Sequence, residues 1–136
     1  MTAYTIPRKD HQFLYIIEGS LLSYTLKNDE FHIIVNCVDY PDLPQEIPMP
    51  NYSEWVKIKF KQFSYLKFIY VYATKSQDKK IKNVLELGEL KQDDEILDYG
   101  GTLELIGGRY DLPTGFSIYI VCREIELEFL DQESFN

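Results

Sequence analysis

Residues 115–130 read Gly-Phe-Ser-Ile-Tyr-Ile-Val-Cys-Arg-Glu-Ile-Glu-Leu-Glu-Phe-Leu. Phe116, Ile118, Ile120 and Cys122 alternate with Ser117, Tyr119, Val121 and Arg123. Beyond that point Ile125, Leu127 and Phe129 alternate with Glu124, Glu126 and Glu128. A period of two is the repeat of a strand with one dry face. The apolar positions change from even to odd numbers at Arg123. A single flat strand cannot do this, because a one-residue slip carries every side chain to the opposite face. The spacing predicts either one long strand bent by a bulge or two strands joined tightly there.

The same period recurs upstream. Leu21 to Leu26 and Phe31 to Val38 flank Asn28-Asp29, a pair whose side chains favour turns, so residues 20–38 read as a β-hairpin. In Trp55 to Lys61, Val56, Ile58 and Phe60 face inward while Lys57, Lys59 and Lys61 face outward. Tyr65 to Tyr72 is apolar on both faces and reads as a central strand. Thr102 to Ile106 reads as a further strand, and residues 107–114 as a loop bracketed by Gly107-Gly108 and Pro113. Residues 77–92 fit a helix and a strand equally well. The polar residues 1–10 predict a loosely held start, and Asp131 to Asn136 a tail.

Between Asp39 and Asn51 four prolines remove four backbone donors, which makes this a stiff loop rather than a paired strand. It suits a crossover between sheets or a functional loop. Together these segments predict a mainly β fold: an antiparallel β-sandwich or strongly curved sheet of about seven strands, with at most one short helix. No repeat or boundary divides the chain, so residues 1–136 read as one domain.

Composition narrows the function classes. The chain is 45% hydrophobic and 15% aromatic, with eleven Tyr and eight Phe, enough for a core of flat side chains suited to a pleated surface. No apolar run approaches the ~20 residues of a membrane-spanning helix. The first residues carry no basic-then-apolar signal pattern, which predicts a cytoplasmic protein. Cys37 and Cys122 then read as reduced thiols. A net charge of −8 opposes nucleic acid and anionic membranes and suits a basic protein partner.

No catalytic signature is present: no Gly-x-Ser-x-Gly elbow, no phosphate-cradling glycine loop, no paired metal-ligand spacing around His11 or His32. The reading is a non-enzyme with no catalytic residues, cofactor or metal. What remains for function is charge and aromatic surface. Glu124, Glu126 and Glu128 line one strand face. They either pair with the ladder Lys57, Lys59, Lys61 on an adjacent strand or form a free acidic patch. Asp93, Asp94, Glu95 and Asp98 make an acidic turn beside Tyr99. Tyr40, Trp55, Tyr99 and Tyr110 lie in or near loops, where aromatics serve as contact anchors. These eleven residues are the candidate partner-binding set.

The layout also resembles the small β-rich immunity proteins of bacterial polymorphic-toxin systems. The likeness rests on Ile17-Glu18-Gly19-Ser20-Leu21-Leu22, the hairpin to Val38, the Trp55 to Tyr72 strands and the Leu103 to Phe129 ending. Glu18-Gly19-Ser20 departs from the His-Asp-Ser/Ala common at that place in the family. The resemblance implies a cytoplasmic, non-enzymatic inhibitor, monomeric or a small homo-oligomer, that occludes a basic toxin domain. The alternatives are an acidic phage-borne anti-defence inhibitor mimicking nucleic-acid charge and a small ligand- or carbohydrate-binding β-domain. Nucleic-acid mimicry requires carboxylates that dominate one face without lysines between them.

Overall fold

A computed structural model describes residues 2–16, 21–74, 79–100 and 113–130. The chain is mainly β. Its strands are β1 Thr2–Ile6, β2 Tyr15–Ile16, β3 Leu21–Lys27, β4 Glu30–Val35, β5 Val38–Asp39, β6 Val56–Lys61, β7 Tyr65–Thr74, β8 Lys79–Gly88, β9 Leu97–Gly100, β10 Pro113–Val121 and β11 Glu124–Phe129. One 3-10 helix, Arg8–Phe13, follows β1. Five strands form one antiparallel sheet in the order β1-β11-β6-β4-β3, and four form a second in the order β8-β7-β10-β9. β2 and β5 make a separate two-stranded ladder.

The two large sheets face each other across one core. Phe31 of β4 meets Phe68 of β7 at 5.0 Å between ring centres, and Phe60 of β6 meets Tyr99 of β9 at 5.5 Å. Tyr24 of β3 contacts Phe68 at 5.0 Å and donates its hydroxyl to Tyr70 of β7 at 2.8 Å. Ile33, Ile58, Leu66, Ile118, Ile120, Ile125 and Leu127 fill the space between, all fully buried. Tilted ring pairs of this kind add to area burial through the aromatic quadrupole.

The parity change at Arg123 marks a change of sheet. β10 ends at Val121 in the four-stranded sheet and β11 begins at Glu124 in the five-stranded one. The neighbouring chain turns the same corner between β6 and β7. The Arg123 N–H donates to the Lys61 carbonyl at 3.2 Å, and the Ser64 N–H to the Val121 carbonyl at 2.9 Å. A hydrogen-bonded ribbon thus folds from one sheet into the other. Gln62 takes a left-handed backbone (φ +54°) at the bend.

One expectation needs correction, and two open readings are settled. The start is not loose: β1 pairs with β11 from Thr2↔Phe129 to Ile6↔Ile125, and Ile6 is buried. Residues 79–88 settle as a strand, an edge paired with β7. The proline-rich loop runs from β5 of the two-stranded ladder to β6 of the five-stranded sheet, a crossover between sheets, and the Cys37 N–H donates to the Tyr52 carbonyl at 2.8 Å to hold it. The expected strand 102–106 and the expected tail lie outside the described residues. Neither Cys37 nor Cys122 is in a disulfide.

Candidate functional site

The two charged ladders are neighbours. β11 pairs with β6 in the register Glu124↔Lys61, Glu126↔Lys59, Glu128↔Lys57. Lys59 Nζ lies 3.0 Å from Glu128 Oε2 and 3.5 Å from Glu126 Oε1, while Lys61 Nζ lies 3.2 Å from Glu126 Oε2 and 3.7 Å from Glu124 Oε2. The Lys59–Glu128 contact is close but poorly directed, so Oε2 is held by charge rather than by an aligned hydrogen bond. Glu128, and then Glu126, keep the Lys59 ammonium above its ordinary pKa although burial opposes this. The glutamates are therefore committed within the sheet and do not form a free acidic patch. His32, next in the row on β4, is taken by Glu30 at 2.8 Å.

Two of the expected aromatic anchors are core. Tyr40 is 2% exposed and donates its hydroxyl to Asp10 Oδ2 at 2.9 Å. Tyr99 is 5% exposed, and its hydroxyl donates to the His11 carbonyl at 2.8 Å. Burial foremost pushes both phenols well above the ordinary tyrosine range. A loop-adjacent aromatic becomes an anchor only if the fold leaves it outside. Here the 3-10 helix accepts both hydroxyls, through the Asp10 carboxylate and the His11 carbonyl. Trp55 is half-buried before β6, Asp98 is exposed on the outer face opposite Tyr119, and Tyr110 lies outside the described residues.

Asp93, Asp94 and Glu95 do come together with other groups. The Lys91 N–H donates to Asp94 Oδ2 at 2.7 Å, and the Asp94 N–H to the Lys91 carbonyl at 3.1 Å, so the turn before β9 is held in shape by its own aspartate. This turn, the 3-10 helix and the ribbon corner enclose a cleft of about 250 Å³. It is lined by Asp93, Asp94 and Glu95 of the turn, by Arg8, Lys9, His11 and Gln12 of the helix, and by Leu97, Val121 and Cys122. A second hollow of about 240 Å³ shares Arg8, Asp94, Val121 and Cys122 and is bordered by Lys91 and Arg123.

His11 is the residue that sequence reading missed. It is 5% exposed, its ring hydrogen-bonds the Ile6 backbone, and its Nε2 is buried with no hydrogen-bond partner among the described residues. Desolvation, foremost, lowers its pKa, and Arg8 adds to this; the Ile6 bond, Glu95 and Asp10 act the other way. The ring is thus neutral at pH 7. Burial pushes the Cys122 thiol up to about 12, which leaves it an unreactive apolar group. In the sequence His11 sits in a polar stretch with no periodicity. Its backbone carbonyl is held by Tyr99, 88 positions away, so its place in the fold has no local signal.

Among the described residues no three His, Cys, Asp or Glu side chains are grouped to hold a metal ion, and no helix is long and apolar enough to cross a membrane. The chain matches no protein-family model, no curated protein and no solved structure.

Proposed function

We propose that the protein is a non-enzymatic binding protein that neutralises a partner protein by direct occlusion, in the manner of the immunity proteins its strand order resembles. The partner is a basic toxin or effector domain in the cytoplasm of the producing cell. The observation that carries this reading is the cleft at the sandwich corner. It joins a preformed acidic turn to the 3-10 helix and to the apolar side chains of Leu97 and Val121. Acidic groups at the rim speed the approach of a basic partner, while desolvated contact inside supplies affinity. With Glu124, Glu126 and Glu128 tied to lysines, the binding role passes from the strand ladder to Asp93, Asp94 and Glu95. The same interleaved lysines weigh against mimicry of nucleic-acid charge, which calls for uninterrupted carboxylates.

The test is capture of the tagged protein with its partner from cells that carry its gene, followed by reconstitution from purified components. A stoichiometric complex that abolishes the partner's activity supports the proposal. In that complex Asp94→Lys with Glu95→Lys should slow association about tenfold at low salt and leave the melting temperature of the free protein unchanged. A partner whose activity persists at saturating protein, or repeated capture of none, would overturn it.

A further inference from the structure

We propose that two copies of the chain associate edge to edge through β8, antiparallel and centred on Val84, joining their four-stranded sheets into one. β8 runs ten residues, Lys79–Gly88, and among the described residues only β7 pairs with it. An edge strand presents a row of backbone donors and acceptors, which is a template for a further strand. The other edges of the two large sheets, β1, β3 and β9, are shorter, at five, seven and four residues. On β8 Asn83, Leu85 and Leu87 are half-buried, while Val84 and Glu86 alternate with them and are exposed. Val84 is 56% exposed, more than any other large apolar side chain among the described residues, and it lies opposite Ile69 of β7.

The order of charges along β8 selects a second copy as the occupant. Lys79, Lys80 and Lys82 stand in its first half and Glu86 in its second. Lysines on an edge ordinarily discourage pairing. An antiparallel copy reverses the order and brings lysine to glutamate. Opposite residues in an antiparallel pair share one hydrogen-bonding type, so the two-fold axis falls on a residue rather than between two. Centred on Val84, Lys82 falls opposite Glu86 of the second copy, Ile81 opposite Leu87, Asn83 opposite Leu85, and Val84 opposite itself. Symmetry repeats each pair, as a self-complementary interface requires. Centring on Asn83 sets Val84 against Lys82, centring on Leu85 sets it against Glu86, and centring on Lys82 sets that lysine against itself. Of these registers only the one on Val84 joins apolar to apolar and cation to carboxylate on the exposed face. Glu86 is already oriented, because its Oε2 accepts the Tyr65 hydroxyl at 2.6 Å, and a carboxylate has capacity for further donors. The acidic turn leads into β9, at the opposite edge of the same sheet, so the dimer and the cleft do not compete.

Sedimentation velocity on the full chain, from about 5 µM to about 1 mM, should show a reversible dimer with a dissociation constant of about 10–100 µM, in keeping with an interface of small area. Lys82→Glu and Glu86→Lys each set like charges opposite one another twice across the axis and should weaken association about tenfold or more. Glu86→Lys also reduces the overall negative charge, so a loss there cannot come from general repulsion. Mixed in equal amounts, the two variants place every glutamate opposite a lysine and should regain the parental affinity. Val84→Glu, at an exposed position, sets two glutamates face to face on the axis; it should be monomeric and decides the matter if a charge variant fails to fold by circular dichroism. A parent that stays monomeric at the highest concentration, its edge then left to a strand of another protein, would overturn the dimer. So would a folded variant that dimerises like the parent, or a mixture that associates no better than its components. The dimer does not depend on the inhibitor reading, and each stands or falls by its own experiment.

Discussion

Replacing Ile120 by Ala tests whether the inward face of the central strand is the one described. Ile120 is fully buried on β10 and sits between Leu66 of β7 and Leu97 of β9 in register. The substitution removes three carbons. At ~0.8 kcal/mol per buried methylene their transfer alone is worth about 2.4 kcal/mol. Leu66 and Leu97 sit on the strands paired to β10 and can close the gap only in part, so a cavity term raises the loss to about 3–4 kcal/mol. For a chain of this size a kcal/mol moves the melting temperature by roughly 3 °C, which predicts a fall of about 10 °C. Urea denaturation followed by tryptophan fluorescence and circular dichroism should show a lower midpoint at unchanged slope. Val84→Ala, at an exposed position on edge strand β8, is the control and should stay within ~0.5 kcal/mol. If Ile120→Ala behaved like that control, the facing of β10 and the sandwich core built on it would be wrong.

Gly88 has a φ of +80°, and a Cβ there would fall 2.0 Å from the Ser64 carbonyl oxygen, a backbone atom that cannot turn aside. Gly88→Ala should therefore cost about 2 kcal/mol or more, read by thermal melting. For the ladder, a double-mutant cycle on Lys59→Met and Glu128→Gln should give a coupling of about 0.5–1 kcal/mol that shrinks in high salt; a zero coupling at low salt would deny the pairing. Because the folded state lowers the His11 pKa, the unfolded chain binds more protons below the ordinary value of 6.5. His11 thus contributes a loss of stability as pH falls from about 6.5 toward its folded pKa, and none above it. Melting temperatures between pH 8 and 5 should show this loss in the parent, and His11→Asn should remove it; identical profiles would refute it.

Periodicity alone determined the dry faces of β6, β10 and β11. It placed Phe116, Ile118 and Ile120 on one side and Ile125 and Leu127 on the other parity, and it located the switch at Arg123. It separated Lys57, Lys59 and Lys61 from Val56, Ile58 and Phe60, and it placed the hairpin around Asn28-Asp29. These are local consequences of a two-residue repeat and of turn chemistry. Which strands lie side by side is not local. Glu126 and Lys59 meet because β11 inserts between β1 and β6, and either ladder reads the same whether or not the other is its neighbour. Residues 77–92 could be read two ways until pairing with β7 supplied the hydrogen bonds that make them a strand. Tyr40 and Tyr99 have the sequence context of exposed anchors, yet the fold buries both and the 3-10 helix accepts their hydroxyls through Asp10 and His11. The candidate site follows the same rule. The acidic turn was visible as a run of like charges, but the cleft beside it exists only once the 3-10 helix and the ribbon corner, distant in sequence, have packed against that turn.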